Sequence, residues 1–286
     1  MQLKKLIPAK FRKNEVVIPV VRLSGVISTG GSAFKQNLSL ASTAQVLAKA
    51  FAFKDAPVVA ISVNSPGGSP VQSRLIYSRI RELAEEKDKK VLIFVEDVAA
   101  SGGYMIALAG DEIIADETSI VGSIGVVAAG FGFDKAIEKL GIERRVYTAG
   151  KNKVGLDAFQ PEKKADIDHV KKLQLDIHDI FINMVKERRG DRLVENKDTF
   201  TGMFWTGRPA KELGLIDGFG HMSTVLKERY GEKTKLKLVQ PKRGFFGRTV
   251  PGVSISSEMT SAIASEFAGG ILSAVEERSL WQRFGL

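Results

Sequence analysis

Runs of consecutive apolar residues alternate with helical periodicity over the first hundred positions of the chain. The runs VVIPVVRLSGVI from residue 16, VVAISVN from 58 and VLIFVED from 91 are continuous and rich in β-branched residues. Such runs are typical of strands that are buried on both faces. Between them, residues 39–52 and about 70–87 place apolar side chains at helical spacing. This alternation predicts βαβ crossovers and a mostly parallel sheet.

Shorter elements are expected after residue 100, and one long helix among them. The shorter ones are helices at 101–109, 134–140, 207–213 and 221–230, and strands at 112–115, 143–148 (ERRVYT) and 235–239. The long helix is predicted from Pro161 to about residue 189, because its apolar residues form one stripe. The stripe comprises Ile167, Val170, Leu173, Ile177, Ile180, Phe181 and Met184. It requires a covering surface.

The same patterns divide the chain into three parts. Residues 1–15 form a basic arm, residues 16–240 one continuous α/β domain, and residues 241–286 a basic linker with an amphipathic tail. In the tail, apolar residues recur at steps of four from Met259 to Val275, which predicts a final helix kinked at Gly269 and Gly270.

The formal net charge is +9, and its distribution argues against nucleic-acid binding. No basic run is interleaved with the aromatic residues that stack bases. The chain lacks cysteine, which excludes thiolate nucleophiles and disulfides. Nearly all the excess charge lies in the arm and the linker, on Lys4, Lys5, Lys10, Arg12, Lys13, Lys242, Arg243 and Arg248.

Membrane insertion is not expected from the sequence. The start of the chain lacks the apolar stretch of a signal peptide, and the longest weakly polar run, at 120–133, has only fourteen residues. A bilayer span needs about 20. We expect a soluble or peripheral protein, located in the cytoplasm.

Two glycine-containing loops follow predicted parallel strands, at the sheet edge where α/β proteins bind ligands. In the first, NSPGGS, the amides of Gly67 and Gly68 are able to converge on an oxyanion, although a plain strand-to-helix turn explains the same residues. In the second, Ser101 opens a short helix among small neighbours. It is a candidate nucleophile or, equally, an N-capping serine.

A serine nucleophile needs a general base. His169 and His178 are nine residues apart on the long helix, on nearly opposite faces, and His221 stands alone, so a serine-histidine triad is poorly supported. The loop at 148–157 offers Lys151 and Lys153 instead. A lysine acts as a base near neutrality only when desolvation lowers its pKa by about three units. A solvated lysine loop is the ordinary alternative.

Taken together, these motifs resemble the signal peptide peptidase A family, including its SohB-type members. These are serine-lysine peptidases of the Clp-protease and crotonase superfamily. The resemblance covers about residues 16–240 and rests on RLSGVI (22–27), VNSPGGS (63–69), ASGGYMIALAGD (100–111), VGSIGV (121–126) and AGKNK (149–153). It implies a Clp-protease/crotonase-like α/β fold of repeated ββα and βαβ units with a mostly parallel sheet, followed by a long amphipathic helix and a helical tail.

The resemblance also implies roles for individual residues. The nucleophile falls on Ser101, the general base on Lys153 and the serine that orients the lysine on Ser123. The oxyanion hole falls on Gly68 with Gly102. Gly67 and Ser69 are expected to contact the substrate.

The implied activity is ATP-independent hydrolysis of apolar or small-residue peptides, such as signal-peptide remnants, without metal or cofactor. The partners expected are peptides and further copies of this chain in a homo-oligomeric ring. Two alternatives stay open, a crotonase-like acyl-CoA enzyme and a non-catalytic ring-forming scaffold. The arm and the tail are candidates for peripheral contact with the inner face of a membrane. Alternatively, Leu280, Trp281 and Phe284 pack on a neighbouring subunit.

Overall fold

The apolar runs of the sequence form the centre of a mostly parallel sheet. The computed structural model describes residues 15–29, 31–32, 35–240 and 278–286. Most of the predicted arm, the linker and the predicted helix between Met259 and Val275 therefore lie outside the described residues.

In the part of the chain that the structure describes, eight strands form one sheet and two short strands form a hairpin. The order in the sheet is β10-β1-β4-β5-β6-β9, all parallel, and β7 extends the end of β5 and pairs antiparallel with β8. The strands are β1 (Val17–Ser24), β2 (Gly31–Ser32), β3 (Lys35–Gln36), β4 (Val58–Ser65), β5 (Lys90–Ala100), β6 (Glu112–Ala115), β7 (Ile120–Gly122), β8 (Phe204–Thr206), β9 (Gly218–Phe219) and β10 (Lys235–Leu238).

Helices cover both faces of the sheet. They are α1 (Leu40–Phe51), α2 (Pro70–Glu86), α3 (Gly102–Ala107), α4 (Asp134–Lys139), α5 (Lys164–Arg189), α6 (Gly207–Glu212) and α7 (Met222–Tyr230). Val59 and Ile61 of β4 join the apolar core with α1, α2, α3 and the end of α5, whereas Val58 and Ala60 face the smaller core with α7. This alternation follows from the two-residue period of a strand. The predicted α/β class with a mostly parallel sheet is confirmed.

The prediction of a strand at residues 143–148 is wrong. This stretch has no regular structure, and most of it is exposed. Within the described residues no strand offers it a ladder partner, and its arginines make ion pairs instead. Arg144 bonds Asp157, and Arg145 bonds Glu143.

The long helix begins at Lys164, three residues later than predicted from Pro161. Lys163 is still extended, with φ −104° and ψ 132°. The predicted stripe is buried only towards the end of the helix, at Phe181 and Met184, whereas Leu173 and Ile180 stay exposed. The rest of the stripe is thus only partly covered within the described chain.

One buried ion pair joins the end of α5 to the loop before β9. Arg189 and Asp217 form two hydrogen bonds of 2.9 Å, and their side chains are 1% and 16% exposed. Arg189 also donates to the carbonyl of Gly214, and Asp217 accepts from the amide of Ile113 on β6. Burial alone would raise the pKa of Asp217, but these hydrogen bonds and the charges of Arg189 and Arg192 outweigh it and hold that pKa below its usual value.

We expect Asp217→Asn to lower the free energy of unfolding by about 3 kcal/mol at pH 7, because it leaves the buried Arg189 guanidinium without its counter-charge. The folded-state pKa of Asp217 is depressed, so its contribution exists above the unfolded pKa of about 3.9 and disappears as the pH falls through the folded pKa. Urea unfolding is measured at several pH values between about 7 and 3. The difference in the free energy of unfolding between wild type and variant should become smaller as the pH falls.

The matched control is Glu117→Gln, which breaks the exposed pair with Arg208. Exposed pairs contribute about 0–1 kcal/mol, so this variant should unfold almost as the wild type does. An equal loss in both variants would contradict the role given to Asp217.

Candidate active site

Ser101 occupies a sharp turn between β5 and α3. Its backbone has φ +53° and ψ −122°, a conformation that residues with a Cβ rarely adopt. The amide of Ser101 donates to the carbonyl of Gly122 at the end of β7, and its carbonyl accepts from Met105 in α3. The side chain makes no cap hydrogen bond, so the N-capping interpretation of Ser101 does not hold. A strained strand-to-helix turn of this kind presents a serine hydroxyl outward, as nucleophilic serines require.

The loop after β4 lies directly against this turn. Gly67 has φ +108°, and a Cβ placed on it would stand 2.8 Å from the Cβ of Ser101. Gly68 has φ +139°, and a Cβ there would stand 2.1 Å from the carbonyl oxygen of Ile27. Only glycine lets the loop approach both neighbours. The two predicted loops therefore meet at one place.

Two backbone amides beside Ser101 have no acceptor among the described residues. They belong to Gly68 and Gly102. The two are neighbours, because the nitrogen of Gly68 lies 3.4 Å from the position of a Cβ on Gly102. Gly102 is also the first residue of α3, where the amide has no partner within the helix. The pair has the chemistry of an oxyanion hole.

Ser69 serves the loop as a cap. Its hydroxyl accepts from the amide of Gln72 in the first turn of α2, and its own amide donates to the carbonyl of Ile27 at 2.7 Å. The carbonyl of Ser69 accepts from the hydroxyl of Ser73. These bonds fix the loop in the position that brings Gly68 to the turn. The predicted substrate contact of Ser69 stays a prediction, as does that of Gly67.

A buried tyrosine anchors α3 from behind. The hydroxyl of Tyr104 donates to the carbonyl of Leu215 at 2.7 Å, and burial raises the pKa of this phenol. Leu215 lies between Gly214 and Asp217, the two residues that Arg189 binds. The buried ion pair is thus coupled through two hydrogen bonds to the helix that carries Ser101.

Ser123 lies one strand away from the nucleophile candidate. It is buried and has φ +53°, and its amide donates to the carbonyl of Met203 at 2.7 Å. Gly122, the residue before it, accepts from the amide of Ser101. The backbone therefore brings the turns at Ser101 and Ser123 side by side, although the Ser123 hydroxyl makes no hydrogen bond to the described residues.

Lys153 is not part of this cluster within one chain. It lies in an exposed loop, where its amide closes a turn on the carbonyl of Gly150. Lys151 is exposed in the same loop. The structure thus brings together Ser101, Gly67, Gly68 and Gly102, with Ser123 nearby, and leaves the predicted base outside.

A cavity of about 230 Å³ opens next to Ser101. Its described walls contain no carboxylate, histidine or lysine, and Arg283 is their one ionisable residue. The nearby His178 bonds the carbonyl of Ile124, and His169 is exposed. The sequence analysis missed the wall residues Pro66, Pro70, Met105, Val126, Val127, Phe181, Leu280 and Arg283, because no local pattern reports them.

Comparison with known protein families identifies the family of this chain. The model described as Peptidase family S49 matches residues 84–236, more than half of the chain. The chain belongs to peptidase family S49. The matched stretch includes the turn at Ser101, Ser123 and the loop of Lys153, while Gly67 and Gly68 precede it.

Two relatives illustrate the similarity of this chain to longer proteins. The serine protease SPPA, chloroplastic, of Arabidopsis thaliana is 32% identical over 208 residues, which are 72% of this chain and 30% of that protein. A protein of Brucella abortus named Na(+)/H(+) antiporter NhaA is 62% identical over 286 residues, which are 99% of this chain but 39% of that protein. The chain thus spans less than two-fifths of either relative.

A solved structure, a point mutant of the 1510-N membrane-bound stomatin-specific protease, aligns with a TM-score of 0.48 and 14% identity. The alignment covers 80% of this chain and 99% of that one. Within the ranges that the structure describes, no helix has both the length and the apolar character to cross a membrane.

The strain at Ser101 predicts an unusual stability effect. We expect Ser101→Gly to be more stable to unfolding than Ser101→Ala by about 1 kcal/mol, because glycine accepts the positive φ and alanine does not. Thermal unfolding of the two variants measures the difference. At Ser69, where φ is −56°, the same pair of substitutions should favour alanine. Equal stability of the two Ser101 variants would contradict the strained turn.

Proposed function

We propose that this chain is a serine endopeptidase in which Ser101 is the nucleophile, Lys153 the general base, and the amides of Gly68 and Gly102 the oxyanion hole. The observation that carries the proposal is the strained turn of Ser101 beside two amides to which the described residues offer no acceptor. Membership of peptidase family S49 supports it. Residues 16–240 would form the peptidase domain.

The reaction is acyl transfer through an ester. The neutral amine of Lys153 takes the proton of the Ser101 hydroxyl as Oγ attacks the peptide carbonyl carbon. The oxyanion accepts hydrogen bonds from Gly68 and Gly102. The C–N bond then breaks, and the leaving amine takes the proton from Lys153. Water, deprotonated by the same lysine, attacks the ester, releases the acid product and restores Ser101.

Contact between two copies of the chain would bring the predicted base of one copy to the nucleophile of the other. The segment around Lys153, residues 127–159, exposes several large apolar side chains, and Tyr147 is 91% exposed. Exposed apolar surface of this extent marks an interface. The others are Val127, Phe131, Phe133, Leu140, Ile142, Leu156 and Phe159. We therefore assign this surface to contact with another copy of the chain, and Lys153 to the active site of that neighbour.

This arrangement also supplies the desolvation that the mechanism needs. A lysine in water is protonated near neutrality and is not a base. Covering the segment by a neighbour removes water from the amine, which favours its neutral form. Ser123, buried beside the Ser101 turn, is then placed to receive a hydrogen bond from the amine and orient it.

The substrates we propose are peptides with apolar or small residues at the scissile bond, such as signal-peptide remnants. The cavity beside Ser101 supports this, because its walls consist mostly of glycine, proline, valine, methionine and phenylalanine. A pocket with such walls favours apolar side chains by burial.

Substitution of the proposed residues tests the assignment. We expect Ser101→Ala and Lys153→Ala to abolish hydrolysis of a fluorogenic peptide ester. Ser123→Ala should slow it by roughly ten- to a hundredfold, because the lysine loses its orienting partner. Lys151→Ala, in the same exposed loop, is the matched control and should keep wild-type turnover. Full activity in either of the first two variants would refute the dyad.

A fluorophosphonate probe separates the competing functions. The peptidase should be labelled at Ser101, and the Ser101→Ala protein should not. A crotonase-like acyl-CoA enzyme or a non-catalytic scaffold has the glycine amides but needs no activated serine, and so would remain unlabelled.

Mixing two inactive variants tests the origin of the lysine. If each site joins Ser101 of one copy to Lys153 of the next, subunits of Ser101→Ala and Lys153→Ala exchanged in equal amounts form intact sites in about a quarter of cases. Peptide-ester turnover should then recover to about that fraction of wild type. Subunit exchange is checked by native mass spectrometry. Complete exchange without recovery would place the dyad within one chain.

A further inference from the structure

Residues 278–286 (segment 278–286) lie against β5, the strand that ends directly before Ser101. Phe284 is 6% exposed and packs on Val98 and Ala100, the latter directly before Ser101. Its ring meets that of Phe204 on β8 edge-on, with centroids 5.0 Å apart. Trp281 adds a partly buried contact to the same cluster. Phe284 and Trp281 thus pack on their own chain, and the contact of Leu280, Trp281 and Phe284 with a neighbouring subunit stays a prediction.

This packing makes segment 278–286 one wall of the nucleophile's cavity. A helical stretch at 278–282 leads into a turn, in which the amide of Phe284 donates to the carbonyl of Trp281. Leu280 and Arg283 then face the same cavity as Ser101 and Gly68. Since Phe284 is held on both sides, the backbone of Leu280 and Arg283 is held beside Ser101, while the side chain of Arg283 is exposed.

Arg283 brings a positive charge to this wall of the cavity. Among the described residues, no carboxylate pairs with Arg283, whose guanidinium carbon lies 5.9 Å from the centre of the Phe284 ring. The other described walls of the cavity are uncharged. Arg283 is itself exposed, so its guanidinium is open to a carboxylate that enters the cavity, and a charge-assisted hydrogen bond between the two has a modest strength.

We propose that Arg283 is a specificity-determining residue that binds a carboxylate of the peptide substrate next to the apolar side chain held in the cavity. The carboxylate is either an Asp or Glu side chain near the scissile bond or the free end of the peptide. The proposal deepens, and rests on, the proposed peptidase function. It adds a charge requirement to a site otherwise selective for apolar residues.

The test compares matched fluorogenic peptides. Each position flanking the scissile bond carries Glu, Gln or Lys in turn, and each peptide is made as free acid and as amide, so that the two carboxylate sources are separated. We expect kcat/KM to favour one carboxylate form by about threefold to tenfold. The preference should shrink in about 1 M salt, because screening weakens the ion pair.

Substitutions of Arg283 decide whether this residue binds the carboxylate. Arg283→Glu should reverse the preference towards the Lys peptide, and Arg283→Lys should keep it. Arg278→Glu makes the same charge change within segment 278–286 but outside the cavity wall, and should leave the ratio at its wild-type value. An unchanged Glu-to-Gln ratio in Arg283→Glu would overturn the proposal.

Binding measurements on the Ser101→Ala protein distinguish the proposed role of Arg283 from the proposed peptidase function. Affinities for the Glu and Gln peptides, and for the acid and amide forms, are measured by fluorescence anisotropy with and without Arg283→Glu. A carboxylate preference in binding, without fluorophosphonate labelling of wild type, would support Arg283 and reject the peptidase. Labelling together with equal affinities would retain the peptidase and reject the role of Arg283.

Discussion

The close packing of the Gly67 loop against the turn of Ser101 is the contact on which the rest of the site depends. A non-glycine residue with φ +53° costs free energy, and it persists only where its surroundings prevent relaxation. Here the amide of Ser101 is held by Gly122, its carbonyl by Met105, and its Cβ by the backbone of Gly67. The same approach places the amide of Gly68 next to that of Gly102. The strain at Ser101 and the neighbouring amides that we propose as the oxyanion hole are therefore two results of one contact.

Much of the fold follows from local patterns, but the contacts between distant segments do not. The mostly apolar, β-branched runs at 58–64 and 91–97 predict buried parallel strands, because such runs are typical of strands covered on both faces. Residues 143–148 end in Val, Tyr and Thr, which are common in strands, and yet form no strand. A strand exists only where a neighbour supplies a ladder partner, and local sequence does not report the neighbour. The short strands β7, β8 and β9 escaped prediction for the same reason.

The site divides in the same way. The proximity of Gly67, Gly68 and Ser101 is predictable, since both loops follow the carboxyl ends of parallel strands, whereas Gly102 is indicated only by the resemblance. Leu280 and Arg283 reach the cavity because Phe284 packs on Val98 and Ala100, a contact that no sequence motif predicts. Lys153 shows the opposite case. Its place in the motif is clear from the resemblance, yet one folded chain leaves it on the surface, because the element that would bury it belongs to another molecule in the arrangement we propose.

The hydrogen bond from Tyr104 to Leu215 spans 111 positions of the chain. During translation, Ser101 is synthesised long before Leu215 emerges, and contacts of such long range form late in folding. A nascent polypeptide on the ribosome therefore carries the serine without the rigid backing that α3 receives in the finished domain. The support that Tyr104 gives to α3 is therefore complete only after synthesis of the domain has passed Leu215.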